Sequence, residues 1–425
     1  MEGKVSVLLK RVGKMEPANV EEYKSLGGFE ALEKAVKNMT KQEILDEVDK
    51  GVLLGRGGAA YPAGRKWKQM MAIEGDPKYI VCNGDEGEPG TFKDRELLSK
   101  TPLSVIEGMI IAGYVFSAKK GVIYIRGEYR EIQKTFQVAL DNARKAGYLG
   151  ENIMGVEGFN YDIVIVSGAG AYVCGENSAL LNSIEGKSGR PRVKPPHLAE
   201  VGLYSKPTLV NNVESFASIP VIIAEGGDAF RNYGVETSGG TKLICLSGHA
   251  KNKGVYEIGL GTSLYDILYS EEFGGGTASG RPIKFVHFGG QSGPIGFPEQ
   301  FNVPYDHTSL KNVGLSVGSG AIVVMDDTVS LVEYCKKVIE FFVHESCGKC
   351  NPCRIGSERM LDLLNKFLDG TAVEGDIERL EELGNMIKLT AACGLGQTIN
   401  TALNCCLKHS RYEFEALIKK NDVWE

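Results

Sequence analysis

Cys347, Cys350 and Cys353 stand in the string HESCGKCNPCR, and Cys393 follows further on in TAACGLGQ. Three thiols spaced this way can reach one iron–sulfur cluster, and such clusters commonly take several thiolates from one loop and another from a distant Cys. Cys393 is the candidate for the fourth position. Structural zinc is the rival, but its ligands usually come as two separated pairs, and no second C-x-x-C or H-x-x-x-H follows. A run of reduced surface thiols is the plainest alternative, and it is weakened because exposed thiols oxidise. Cys82, Cys174, Cys245, Cys335, Cys405 and Cys406 sit in apolar surroundings and read as small buried hydrophobes. Cys405 and Cys406 could still offer substitute thiolates near a cluster.

A second chemistry is written in three glycine-bearing strings. LLGRGGAAYPAGRKWK carries Gly55, Gly57, Gly58 and Gly64 with Arg56, Arg65 and Lys66. Such loops let the backbone approach a ligand and expose N–H groups to anions, so a phosphate-bearing cofactor and a merely tight loop both fit. The string is neither G-x-G-x-x-G nor G-x-x-x-x-G-K-[ST], which indicates neither the common dinucleotide fold nor a nucleotide triphosphatase. YIVCNGDEGEPGTFKDRE sets Asn83, Asp85, Glu86 and Glu88 just beyond an apolar run. Ligands of open α/β sheets lie outside the carboxyl ends of the strands, and carboxylates and Asn can hydrogen-bond flavin ring N–H, ribityl and ribose hydroxyls. A solvated turn is the competing reading, because carboxylates this close repel one another. In SGAGAYVCGENSALLNSIEG, Gly168, Gly170 and Gly175 again permit close approach. A helix starting near Glu176 would aim its N–H groups into the same crevice.

These residues need elements to hold them. Up to about residue 50 the pattern is helical and charged, with Leu32, Ala35 and Val36 followed by Ile44, Leu45 and Val48, an N-terminal helical adaptor over 1–50. Short apolar runs then alternate with amphipathic stretches: Tyr79 to Cys82, Val105 to Ala118, Gly121 to Ile125, a helix through Phe136 and Ala143, and Tyr161 to Val166. Strand and helix in alternation predict a parallel α/β layer over 51–235. From Gly239 the runs GTKLICLSGH, GVYEI and PIKFVHFGG surround a helix Ser263 to Tyr269, a small α+β module over 239–325. Beyond Asp326 the spacing of Val329, Val332, Cys335, Ile339 and Phe342, and of Met360, Leu363, Leu364 and Phe367, predicts helices over 326–425. The cluster loop falls between the first two, and Cys393 at the end of a third, stopped by Gly394.

At 425 residues the chain exceeds one ordinary core, given about 150 residues per domain. Its 43% hydrophobic and 24% charged content and net charge of −6 belong to a soluble globular protein with no basic tract for nucleic acid. MEGKVSVLLKRVGK lacks a signal-peptide core, and no stretch reaches the roughly 18 apolar residues of a membrane helix. We therefore expect no direct membrane insertion and a cytoplasmic location, free or at the cytoplasmic face of a membrane complex. Cys with no regular disulfide framework agree with a reducing compartment.

Together, GRGGAAYPAGRKW, VCNGDEGEPGTFKDRE, GAYVCGENSALLNSIEG, KPTLVNNVES and ESCGKCNPCR with ACGLGQ resemble the flavin-carrying, NADH-binding subunit of respiratory complex I, a subunit type that also serves soluble NAD(P)-linked hydrogenases and formate dehydrogenases. The resemblance runs from about Gly51 to Leu395. It implies an FMN-binding α/β domain, a β-grasp-like middle module and a C-terminal helical bundle holding a 4Fe-4S cluster. It implies that Gly55, Gly57, Gly58 and Lys66 surround flavin and nucleotide, that Asn83, Asp85 and Glu86 contact flavin, and that Glu88 is the nicotinamide-side acid. Tyr172, Gly175 and Glu176 would be strand-end flavin contacts, and Asn211 and Asn212 phosphate and ribityl contacts. Tyr61 stands where the family commonly has a Phe that stacks on the nucleotide. Cys347, Cys350, Cys353 and Cys393 would hold the cluster.

The implied activity is that of an NAD(P)H dehydrogenase component: hydride exchange between nicotinamide and FMN, then single electrons to the cluster. No catalytic base is needed, and Glu88 and Glu176 would position. The chain departs from the family at Asn177, where a second Glu is frequent, at Gln69 and His197, where aromatics are, and at Ala60, where Gly is. Losing that carboxylate near Arg190, Arg192 and Lys194 opens NADP(H) use. An electron-bifurcating version, a redox scaffold without nucleotide turnover, and a binding protein built on the middle module are the alternatives. Some relatives fuse further iron–sulfur domains, whereas both ends are short here, so a small thioredoxin-like 2Fe-2S subunit and a larger Fe-S subunit are expected as separate partners.

Overall fold

The computed structural model describes residues 5–419; the extremities of the first and last segments, 1–4 and 420–425, lie outside the described residues. Four strands, β1 (Tyr79–Gly84), β2 (Lys120–Ile125), β3 (Asp162–Ser167) and β4 (Thr208–Asn212), form a parallel sheet in the order β3-β2-β1-β4. The expected apolar runs supply the first three. The fourth, from TLVNN, reads in the sequence only as a ligand motif, and it pairs with β1 so that Val210 lies opposite Val81. Since the chain winds from β1 outward to β3 and then returns to the other side of β1, the strand order reverses between β1 and β4. Their carboxyl ends therefore open the crevice where ligands bind in such sheets.

Helices Pro102–Phe116 and Val213–Glu225 are apolar on nearly every side and almost wholly buried, as such sequences require. They approach closely at Gly108, where a Cβ would lie 2.0 Å from the Phe216 carbonyl oxygen. Helices Val20–Ser25, Glu30–Asn38 and Lys41–Lys50 bring Leu32, Ala35, Val36, Ile44, Leu45 and Val48 into the same continuous core. Thr40 and Glu43 start the last of these with a reciprocal capping box.

The second sheet holds β5 (Thr241–Gly248), β6 (Gly254–Gly259), β7 (Ile283–Phe288), β8 (Ile295–Gly296) and β9 (Ala321–Asp326) in the order β6-β5-β9-β7-β8. Its first and last strands run parallel at the centre and the other pairs are antiparallel, which is a β-grasp arrangement. Helix Leu264–Tyr269, capped by Ser263, covers it with Leu264, Ile267 and Leu268. Neither β8 nor β9 is expected from the sequence.

Four longer helices follow, Leu331–Glu345, Asn351–Leu368, Asp376–Thr390 and Thr401–Glu415, around a core that includes Cys335, Ile339, Phe342, Met360, Leu364 and Phe367. Two local expectations need correction. Cys353 lies in the first turn of the second helix rather than in the loop, and the third helix ends at Thr390, short of Cys393. No helix among the described residues is long and apolar enough to cross a membrane.

Candidate functional site

The crevice between β1 and β4 is a cavity of about 480 Å³. Gly55, Gly57, Gly58, Tyr61 and Lys66 reach it from the first glycine string, and Asn83, Asp85, Glu86 and Glu88 from the end of β1. Tyr172, Gly175 and Glu176 come from the segment after β3, and Asn211 and Asn212 from the end of β4. The fold thus gathers every residue expected around a flavin. A larger depression at the ends of β2 and β3, near Gly127 and Gly170, is open to solvent and holds none of them.

The Gly residues serve clearance. A Cβ on Gly57 would stand 3.2 Å from the Asn212 Cβ, and one on Gly290 would stand 2.0 Å from the Glu88 Cγ. Ala60, where the family often has Gly, adopts φ +53°, a left-handed conformation that suits Gly better than a residue with a Cβ.

Burial dominates the electrostatics. It raises Asp85 to about 7 against the pull of Arg126, and the Asp85 Oδ2 is buried with no hydrogen-bond partner. It also raises Glu88 to about 7, although Tyr172 Oη donates to that carboxylate at 2.6 Å and Gln291 N at 2.7 Å. Lys66 is lowered to about 8 by burial and by nearby Lys194, and its ammonium donates to the Val210 carbonyl at 2.9 Å rather than to an acid. A half-buried cation and an orphaned carboxyl oxygen in one cleft fit a ligand that brings both phosphate and hydroxyl groups.

Some expected ligands are already engaged. Glu86 accepts the N–H groups of Asp94 at 2.7 Å and Arg95 at 3.1 Å, and the Tyr129 hydroxyl at 3.1 Å. Glu176 caps its own helix, Asn177–Ile184, by accepting from Ser178 N and Ala179 N, so these N–H groups are not aimed free into the crevice. Its other oxygen meets Lys194 at 3.1 Å. Arg56, expected to add positive charge at the loop, is 1% exposed and donates to the Gly239 and Leu54 carbonyls. Arg192 is tied to Asn182, Gly202 and Glu185. The Asn83 amide donates to Asn177 Oδ1 at 3.2 Å, and Tyr61 donates to Gln69 at 3.0 Å.

Three further residues contribute that the sequence alone does not single out. Ser319, from the β-grasp module, lines the cavity with its hydroxyl 2.5 Å from that of Thr91. Lys93 and Asp94 also line it and join a buried ion network through Glu214. Lys93 and Asp94 fall inside the second glycine-bearing string, but the contacts of Ser319 with Thr91 and of Lys93 with Glu214 join segments more than a hundred residues apart.

The thiols lie beside this cleft. Cys393, Gly394 and Leu395 line the cavity itself. Cys353 belongs to the helical core, Cys350 and Cys393 pack on that core, and Cys347 packs on the core of the four-stranded sheet. None of the four is in a disulfide and none is fully exposed. Burial raises the Cys353 thiol, the Ser346 hydroxyl opposes this, and Cys350, Cys393 and Cys347 push it further up, so the four thiols are mutual neighbours. Among the described residues no three His, Cys, Asp or Glu side chains converge on a single-ion site. Cys406 is instead fully buried against Cys335. Lys349 and Arg354, the two cations nearest the thiols in sequence, donate to the Pro191 carbonyl and to Asn351 Oδ1.

Residues 48–221 match the model of the Nuo51 FMN-binding domain, and residues 333–417 match the NADH-ubiquinone oxidoreductase-F iron-sulfur binding region. The second of the F subunits of NADH-quinone oxidoreductase in Rhizobium meliloti is 43% identical over 97% of this chain and 98% of its own. The chain belongs to the family of these F subunits. That of Escherichia coli is 37% identical over 95% of this chain and 91% of its own. The NADP-reducing hydrogenase subunit HndC of Solidesulfovibrio fructosivorans is 43% identical over 96% of this chain and 83% of its own. Among solved structures, an NAD+-reducing [NiFe]-hydrogenase in its H2-reduced state superposes with a TM-score of 0.85 at 32% identity, covering 99% of this chain and 68% of that one. As a member of this family, the chain carries an FMN-binding domain and a 4Fe-4S region. The clearance at Gly57, the orphaned Asp85 oxygen, the Lys66 cation and the thiol quartet suit those two groups.

Proposed function

We propose that this chain is an NAD(P)H dehydrogenase subunit whose crevice between β1 and β4 would hold FMN and whose Cys347, Cys350, Cys353 and Cys393 would hold a 4Fe-4S cluster. Bound FMN supplies the conversion of a two-electron donor into one-electron steps. The protein's share is to bind, orient and exclude water. Lys66 offers its ammonium to phosphate, and Asn83, Asp85, Asn211 and Asn212 offer hydrogen bonds along the flavin. The Gly55, Gly57 and Gly58 backbone gives room, and Tyr61, with 37% of its surface exposed at the rim, offers an aromatic face. Gly175 lines the cleft beside Asp85. Glu88 and Tyr172, bonded to each other, shape the nicotinamide side, Glu176 holds the adjoining helix start, and Glu86 acts indirectly by fixing the turn at Asp94. The FMN part spans 51–235 and follows the adaptor 1–50, whose described residues pack on it, and it is succeeded by the β-grasp module 239–325 and the cluster bundle 326–425. One observation carries this reading: the cleft that gathers the flavin strings is also lined by Cys393.

An anaerobic absorbance spectrum tests it. Flavin bands bleached by NADH or NADPH support the dehydrogenase, unbleached bands reduce the chain to a redox scaffold, and absent flavin leaves a binding protein.

Use of NADP(H) is a second reading, favoured by Asn177 in the cleft beside Lys194, and a relative is named as NADP-reducing. Turnover with the two nucleotides at equal concentration decides, and a strong NADH preference ends it. A cluster reached from one cleft needs an outlet, so a small thioredoxin-like 2Fe-2S subunit and a larger Fe-S subunit are proposed as partners in a cytoplasmic redox complex. Identification of the chains that co-purify checks this.

A further inference from the structure

The loop that bears the thiols is fastened to the flavin side at two points that flank Cys347. Upstream, Glu345 Oε2 accepts the backbone N–H of Tyr172 at 3.0 Å. One turn earlier on the same helix, Phe341 meets the Tyr172 ring edge-on at 5.0 Å. Downstream, Lys349 Nζ donates to the Pro191 carbonyl. Between these ties Cys347 rests on the core of the four-stranded sheet. Tyr172 lines the cleft, and its hydroxyl donates to Glu88 at 2.6 Å and lies 2.8 Å from the Ser292 hydroxyl. Three residues in direct contact, Glu88, Tyr172 and Glu345, therefore lead from the cleft to the thiol loop.

Glu345 also acts at a distance, its charge adding to what raises Asp85 in the cleft. It does not line the cleft and is not a thiol ligand. It closes helix Leu331–Glu345, where a negative side chain opposes the helix dipole. The Tyr172 N–H, belonging to a different element, is what answers that charge.

We propose that Glu345 is a positioning residue for electron transfer: its bond to Tyr172, backed by Lys349 on Pro191, fixes the separation of flavin and cluster. It governs how fast electrons cross to the cluster and leaves the hydride step alone. Glu345 itself gives and takes neither proton nor electron; the nicotinamide hydride supplies two electrons, and these cross one at a time. The inference rests on FMN lying between β1 and β4.

The test compares full chains loaded anaerobically with FMN and iron–sulfur: wild type, Glu345→Ala, Glu345→Gln and Lys349→Met. Stopped-flow absorbance follows flavin bleaching by NADH, freeze-quench EPR follows the reduced cluster, iron analysis gives occupancy, and hydrogen exchange reports the Tyr172 amide. Glu345→Ala should bleach at the wild-type rate, exchange its Tyr172 amide faster, and reduce its cluster several-fold more slowly. Glu345→Gln, whose amide oxygen still accepts the bond, should restore both readouts. Lys349→Met should slow the same step with full iron, which judges the proposal even if Glu345→Ala fails to fold. Unchanged cluster reduction in either folded variant overturns it, as does equal slowing of bleaching and cluster reduction. A wild-type flavin that NADH does not bleach sinks the functional reading, and this proposal with it, and the wild-type control alone reveals that case.

Discussion

Lys93 Nζ lies 2.8 Å from the Glu214 carboxylate, with 1% and 0% of the two side chains exposed, beside the cavity wall. Lys242 at 2.6 Å and Arg56 at 4.0 Å complete the set around Glu214. Burial works to raise this acid, yet Lys242, Lys93 and Arg56 outweigh it and hold Glu214 at about 2. Removing the anion leaves buried cations uncompensated, so Glu214→Gln should destabilise the chain by about 3 kcal/mol or more. Urea denaturation measures it, and a loss well under 1 kcal/mol would mean the cations find other partners.

Glu88 makes stability depend on pH. Folding raises it from 4.5 to about 7, so between those values the folded chain keeps a proton that the unfolded chain has released. Stability therefore falls as pH rises through that window and levels off above it. Glu88→Gln stays neutral, so its melting temperature relative to wild type should climb across the same window in flavin-free protein. The comparison cancels the opposite contribution of His287, which burial lowers to about 4. A gap independent of pH would show that Glu88 is ionised throughout.

Lys66 is a cation without an acid partner among the described residues, lowered to about 8 by burial. A phosphate beside it would regain that loss as a charge-assisted bond worth about 1.5–3 kcal/mol, so Lys66→Met should weaken FMN or nucleotide binding by about 10- to 100-fold. Fluorescence titration of each ligand identifies which phosphate it serves. Unaltered affinity for both would place the phosphates elsewhere.

Cys393→Ser should lose most of the bound iron after anaerobic reconstitution, whereas Cys406→Ser should keep it, because Cys406 is sealed against Cys335. Iron analysis with EPR separates the two. Full iron in Cys393→Ser would revive Cys405 or Cys406 as a substitute ligand.

Much of the site was legible because its parts are local. An apolar run followed at once by Asn83, Asp85, Glu86 and Glu88 announces a strand end, and strand ends are where such sheets bind. β4 is hidden in the sequence because TLVNN is short and polar at its end, and its strand character comes from lying beside β1. Glu214 is hidden for another reason: it sits in a string of apolar residues, and two of its three cations come from distant segments. The helix start near Glu176 is where the sequence puts it, but the acid that caps it answers the N–H groups that a ligand would otherwise meet. Sequence spacing shows which residues can meet, while which bonds they have already formed depends on the assembled chain.

The division of the thiols between two cores bears on how the protein matures. Cys347 leans on the sheet, while Cys350, Cys353 and Cys393 belong with the helical tail. All four come from the tail itself, so a tail not yet docked on the sheet still carries every thiol, and docking is what gives Cys347 its second wall. A cluster held by the quartet would then rivet tail to sheet, its binding energy adding to what keeps the two from parting.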